Sequence, residues 1–420
     1  MQLDSEQTFD ERIFEPEDGG VNYEYGSSIA LVDTTGFIGA PGAEGPSSIF
    51  PGAVYVRDLR NETAPDLNPP QKVTPEDPSP QAKFGSAIDA AGAYLVVGSP
   101  DYSESGENIG QAEIFQRDPS ELTEDYTSLG SIDHPGPAGT NLQAKFGKSV
   151  AVAADGDTIA VGSMGDRAAR GRSNAVFSLI NSYLLTHIIL IVMHLGLVFI
   201  FNNTQNVADI LAPDDVTESP DTGGNFGWSV DMNSDGTLLV VGAPFQEGGG
   251  MVYIFKRDDQ GWSEYGNVTW QFQGENDEFG FDVALSDNSL LVVGSRNAVG
   301  GTGRAYLYSI ASEEIVEVFN PTTAGGLFGT SVAINAEGTR VVVGNPNPGG
   351  EGDAHFYYID FNDNWSLSEV VVPSLSSDGI EFGYAVGVTT EVRAAPHVTV
   401  TICLLVSLNL HLAFPGSIGW

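Results

Sequence analysis

An aromatic residue followed by glycine recurs along the chain, at Tyr25-Gly26, Phe84-Gly85, Phe146-Gly147, Phe226-Gly227, Phe279-Gly280, Phe328-Gly329 and Phe382-Gly383. Successive glycines lie 59, 62, 80, 53, 49 and 54 residues apart, so five of the six intervals define one repeating unit. A period of this length constrains the fold strongly. Each unit is a supersecondary module that buries its faces only against its neighbours, so the modules stack into a solenoid, an array or a ring.

The text within each unit is that of strands. It opens with alternation, as in FGKSVAVAADG and FGTSVAINAEG, and period two marks a strand with two unlike faces. A turn pair follows (Asp155-Gly156, Asp235-Gly236, Asp287-Asn288 or Glu337-Gly338), suited to the positive φ angles of a two-residue hairpin. Next comes a short apolar run ending in glycine, as in YLVVGSP, TIAVGSM, LLVVGAP, LLVVGSR and RVVVGNP, which fits a strand buried on both faces. A Gly-rich loop leads to an aromatic strand (GAVYVRD, QAEIFQRD, GMVYIFKRD, GRAYLYSI, DAHFYYID), and a weaker polar strand ends near proline (KVTPEDP, DILAPDD, EVFNPTT, EVVVPSL). Four strands, graded from apolar inside to polar outside, describe one blade of a β-propeller.

These units resemble FG-GAP repeats, the blades of the integrin α-subunit N-terminal propeller, with Phe226-Gly227 and Gly242-Ala243-Pro244 as the name-giving motif. The resemblance runs from about residue 13 to about residue 390. WD40 blades are disfavoured because no Trp-Asp closes the units, and kelch blades because the paired glycines are missing. The expected fold is all-β: one β-propeller domain over residues 1–420, of about seven four-stranded blades starting near 25, 84, 146, 226, 279, 328 and 382. ERIFEPEDGG resembles the outer-strand ends, so Arg12 to Asp18 are expected to supply the outermost strand of the last blade and leave no free edge.

Two stretches break the pattern. No charged side chain occurs from Ser173 to Ala208, and the apolar segment 173–200 interrupts blade three. It is long and apolar enough to cross a bilayer, but a single crossing would put the two parts of one ring on opposite sides of the membrane. Removing about 24 residues restores the common spacing, so it reads as translated intervening sequence such as a retained intron. A genuine inserted loop and a transmembrane helix are the alternatives. Residues 391–420 form an apolar tail without the Val-Gly-Ala-Pro strand, which makes the last blade degenerate; a tail anchor is the alternative.

Composition bears on partners. With 17 basic against 56 acidic residues the formal net charge is -39, which repels phosphate backbones and argues against nucleic acid. The single cysteine, Cys403, allows no internal disulfide. The first twenty residues hold no apolar core and do not read as a signal peptide, although the family resemblance implies an extracellular or cell-surface setting. A monomer is expected, and membrane association is left open.

Integrin-type blades often carry calcium in the first hairpin, so the resemblance directs attention to Asp231-Met-Asn233-Ser-Asp235-Gly236. Calcium needs six to eight oxygen ligands from a loop long enough to wrap it. Asp231 occupies the strand slot of Ala151, Ala284 and Ala333, the next ligand position holds Leu239, and the hairpin is about four residues too short. Asp231, Asn233 and Asp235 are therefore weak metal candidates, calcium is disfavoured, and no cofactor is expected. Nucleophile elbows and phosphate loops are missing from the text, and the histidines are scattered.

The resemblance implies a non-catalytic module that binds a protein or glycan ligand, in cell-surface adhesion or recognition. The loops between second and third strands vary while the strands repeat, which suits recognition. Asp101, Glu104, Glu107, Glu247 and Glu351 would give that face an acidic rim. The alternative is a propeller enzyme, or the accessory domain of a carbohydrate-active enzyme. An enzyme should show convergent carboxylates with shifted pKa values in a central pocket.

Overall fold

The computed structural model describes residues 23–45, 49–59, 71–104, 107–117, 125–135, 144–164, 196–202, 207–212, 224–246, 248–269, 274, 276–322, 325–348, 350–360, 362–373, 381–392 and 399–407. Six four-stranded antiparallel blades follow one another along the chain. Blade one comprises β1 (Ile29–Val32), β2 (Thr35–Ala40), β3 (Ala53–Asp58) and β4 (Gln71–Val73). Blade two comprises β5 (Ala87–Ala91) and β6 (Tyr94–Ser99), a small hairpin of β7 (Ser103–Glu104) and β8 (Glu107–Asn108), then β9 (Gln111–Arg117) and β10 (Tyr126–Asp133). Blade three is β11 (Phe146–Val152), β12 (Thr158–Ser163), β13 (Leu197–Asn202) and β14 (Val207–Leu211). Blade four is β15 (Ser229–Met232), β16 (Leu238–Ala243), β17 (Met251–Asp258) and β18 (Gly261–Val268). Blade five is β19 (Phe279–Leu285), β20 (Leu290–Ser295), β21 (Arg304–Ser309) and β22 (Glu314–Phe319). Blade six is β23 (Val332–Ile334), β24 (Arg340–Asn345), β25 (Asp353–Ile359) and β26 (Trp365–Val371).

The expected seven four-stranded blades are corrected here to six. The seventh place in the ring holds a two-stranded sheet of β27 (Phe382–Val392) and β28 (Thr399–Ser407). The repeat text stops after FGYAVGV, so the strand that pairs with β27 lacks the Val-Gly-Ala-Pro signature, and among the described residues this sheet has two strands. β27 nevertheless packs against β23 and β24 of blade six on one side and β1 of blade one on the other, and so closes the ring. The segment Arg12 to Asp18, most of 173–200 and much of 391–420 lie outside the described residues. Leu197 to Ile200, at the end of the apolar stretch, belong to β13, which pairs with β12 from Ser163↔Leu197 to Thr158↔Asn202. Among the described residues, no helix is long and apolar enough to cross a membrane.

The gradient read from sequence is the gradient of burial. The second strands β2, β12 and β16 are buried at every position, whereas the fourth strands β18 and β26 are largely half-buried or exposed. The core lies between blades rather than within them: Phe226, Val241, Tyr253 and Phe255 of blade four pack with Ala151, Val198 and Ile200 of blade three.

The name-giving glycines form the joints. Gly85 and Gly280 adopt φ values of 90 and 86, and a Cβ on them would come within 2.6 Å of Ala53 O and 2.7 Å of Met251 O in the preceding blade. A Cβ on Gly242, at the end of β16, would collide with the carbonyl oxygen of Gly280 in the next blade. Serine completes the joint. The hydroxyls of Ser28, Ser149, Ser229 and Ser331 donate to the carbonyls of Gly85, Gly227, Gly280 and Gly383 over 2.7, 2.8, 3.2 and 2.8 Å.

Candidate site at the mouth of the central channel

The first strands surround a central channel with a cavity of about 520 Å³, lined by inner-strand residues from every place in the ring. At one end, each aromatic-Gly pair is preceded by a residue in the left-handed region: Glu24, Lys83, Lys145, Asn225, Glu278, Leu327 and Glu381, at φ between 51 and 62. Each of these residues accepts a hydrogen bond at its carbonyl from the amide three residues on, over 3.0 to 3.2 Å. The loops between second and third strands lie beside these turns. The amides of Asp101, Phe245, Asn297 and Asn347 donate to Ala82, Gly224, Asp277 and Gly326 carbonyls over 3.1, 3.1, 3.2 and 2.8 Å. The mouth and the loop face are therefore one surface.

The residue after each aromatic-Gly pair borders this mouth: Ser27, Ser86, Lys148, Trp228, Phe281, Thr330 and Tyr384. Trp228 stands between Phe245 and Phe281, with ring centroids 5.3 Å away in both cases. The Lys148 ammonium lies 4.6 Å from the Trp228 ring centroid, and the Arg296 guanidinium 3.6 Å from that of Phe281. Arg296 is neutralised by Glu278 at 2.6 Å, and Asn297 holds the other Glu278 oxygen at 2.7 Å. Tyr384 is 37% exposed, and burial of the rest of the ring pushes its phenol up, with Glu381 adding to the effect.

Blades two and three bring cations together. Lys145 is paired with Asp101, and Lys83 lies 3.9 Å from the second oxygen of the same carboxylate. Lys148 forms no ion pair within 4 Å among the described residues. Enclosure in the channel lowers its pKa, and so does Lys83, while Asp101 and Asp282 act in the opposite direction.

Deeper in the channel lie three half-buried aspartates. Asp89 accepts hydrogen bonds from Ala90 N at 2.8 Å and from Val152 N of the next blade at 2.7 Å. Asp231 likewise holds Met232 N at 2.8 Å and Leu285 N of the next blade at 2.6 Å. Asp282 accepts from Val332 N of the next blade at 2.8 Å. Loss of bulk water pushes the carboxyls of Asp89 and Asp282 up to about 6 and about 7, against the effect of these hydrogen bonds. The same enclosure, with Asp89 nearby, raises Asp231 well above the usual carboxylate range.

The residues singled out from sequence are scattered over this frame. Asp231 lies on β15 and joins two blades, whereas Asn233 and Asp235 shape the hairpin turn. Asn233 accepts from Thr237 N at 3.0 Å and Leu238 N at 2.8 Å, and Asp235 accepts from Thr237 N at 3.0 Å. Among the described residues, no group of three or more His, Cys, Asp or Glu side chains is placed to hold a metal ion. Asp101 sits at the mouth as counter-ion to Lys145 and Lys83. Glu104 and Glu107 are backbone partners in the hairpin of β7 and β8, Glu351 is exposed, and Glu247 lies outside the described residues. Lys148, Trp228, Phe281 and Arg296 were not singled out. The signal for the first three was one alignment column, two residues beyond the aromatic, where side chains diverge although the framework repeats; Arg296 lies in the loop after β20.

A ring of four-stranded antiparallel blades joined by glycine contacts around a central channel is a β-propeller. Residues 206–255 and 262–308 match the FG-GAP repeat family, over β14 to β17 and again from β18 to β21. Over these two stretches the chain is similar to FG-GAP repeats, and its fold resembles the propeller of the integrin α-subunit N-terminal domain. No match is found among curated proteins.

Proposed function

We propose that this protein is a non-catalytic binding module whose protein or glycan ligand docks on the loop face, over the channel mouth. One observation carries the reading. Seven turns share a backbone, yet their side chains change from serine to lysine to tryptophan. A purely structural position would repeat, as the adjoining phenylalanine and glycine do. Framework constancy with divergent chemistry at a concave, aromatic-lined opening is what recognition requires. Cell-surface recognition is the setting that the family resemblance favours.

The three channel aspartates favour a second, enzymatic reading, since their raised pKa values meet one criterion for general acids. Their oxygens, however, are engaged by backbone amides of adjacent blades, so they act as joints. The test is a screen of the purified chain on glycan and peptide arrays, with Trp228→Ala alongside as a folded variant verified by circular dichroism. Ligands lost in the variant support docking at the mouth. Hits that survive the substitution overturn that placement, and product formation from a bound ligand overturns the non-catalytic reading.

A further inference from the structure

Lys83 and Lys145, on two adjacent blades, share the Asp101 carboxylate at the channel mouth, and Lys148 lies near them without an ion pair within 4 Å among the described residues, in a chain with 17 basic and 56 acidic residues. Such a protein has ample carboxylate with which to neutralise its cations, and Arg296, over the Phe281 ring that adjoins Trp228, shows it doing so. Lys148 instead rests on the Trp228 indole. That contact is weak compared with a charge-assisted hydrogen bond, so an arriving anion would displace it.

Resting on the binding reading above, we propose that the mouth binds a sugar acid, a pyranose ring bearing a single carboxylate, with the carboxylate on Lys148 and the ring against the wall of Trp228 and Phe281. Three features select this class. The cavity of about 520 Å³ admits a terminal residue rather than a folded segment. The adjoining aromatic side chains suit the apolar face of a pyranose better than the short stem of an acidic side chain. The net charge of -39 repels a polyanion and leaves a single carboxylate as the anion that can approach.

The test is titration of the full chain with N-acetylneuraminic acid and with glucuronic acid, with glucose as the neutral control. Binding is followed by tryptophan fluorescence, and Trp228→Phe assigns the signal. One or both acids should bind at least about tenfold more tightly than glucose, and Lys148→Gln should remove that preference. Lys83→Gln, an exposed substitution, should weaken binding about two- to threefold and reduce its salt dependence. Equal binding of glucose, or an acid preference that survives Lys148→Gln in a variant with native circular dichroism, overturns the assignment. If an acidic peptide binds at Trp228 and neither sugar acid does, the sugar-acid inference fails while the binding-module reading stands. If array ligands bind and none depends on Trp228, the sugar-acid inference and the placement at the mouth both fail, while a binding module with its site elsewhere stands.

Discussion

At the joint between blades, one atom decides. Gly242 faces the carbonyl of Gly280, and a methyl group there has nowhere to go. Gly242→Ala should therefore cost about 1–3 kcal/mol in chemical denaturation, as overpacked sites do. Gly266→Ala, whose added Cβ meets nothing within 4 Å, should be near neutral in the same assay. Asp282 gives a prediction in pH. Its folded pKa of about 7 stands above the ordinary 3.8, so the folded state holds the proton more tightly. The stability linked to this group is full below about pH 4 and is lost as pH rises through 7. Asp282→Asn keeps an acceptor for Val332 N and removes the titration. Its thermal midpoint should fall less between pH 5 and pH 8 than that of the wild type; parallel slopes would contradict the assignment.

The individual strand is set by short-range text and fixed in place by long-range partners. Asn335 shows the local part. Its side-chain oxygen accepts Thr339 N at 2.8 Å and Arg340 N at 2.7 Å, which shapes the turn between β23 and β24. The joint serines show the other part. Ser331→Ala would leave the Gly383 carbonyl without its hydroxyl donor and should cost about 1 kcal/mol. Ser149→Ala, in blade three, should add to it almost independently in a double mutant, because the two joints share no partners. A coupling above about 0.5 kcal/mol would show that the joints communicate around the ring.

Across the whole molecule, stability comes from closure. Each blade covers its neighbour, so the ring needs β27 between blades six and one even though the seventh sheet has two strands. The pairing of Ser163 with Leu197 brings the two sides of the apolar stretch together within blade three. Deleting residues 170–193 should accordingly leave the circular dichroism spectrum and the thermal midpoint within a few degrees of the wild type. A loss of cooperative unfolding in that variant would show that the stretch is part of the ring.

The sequence alone determined the repeat, the order of strands within a blade and the motif glycines, because β periodicity, turn chemistry and glycine requirements act over a few residues. Phe226-Gly227 and Gly242-Ala243-Pro244 could be read as parts of one module without knowing where either lay. Blade number was less legible: β27 keeps its aromatic-Gly start, but its partner β28 has no template in the repeat. Only the tertiary structure decided what the mouth holds. Lys83, Lys145 and Asp101 are brought together across two blades, and Lys148 reaches Trp228 from eighty positions away in sequence. Asp231 could be placed on a strand from its slot in the repeat, but its partner could not: its carboxylate holds Leu285 N in the next blade. The physical reason is the same in each case. A blade is written locally, but the channel and its mouth are assembled from one strand of every blade, so their charges and rings meet only when the circle closes.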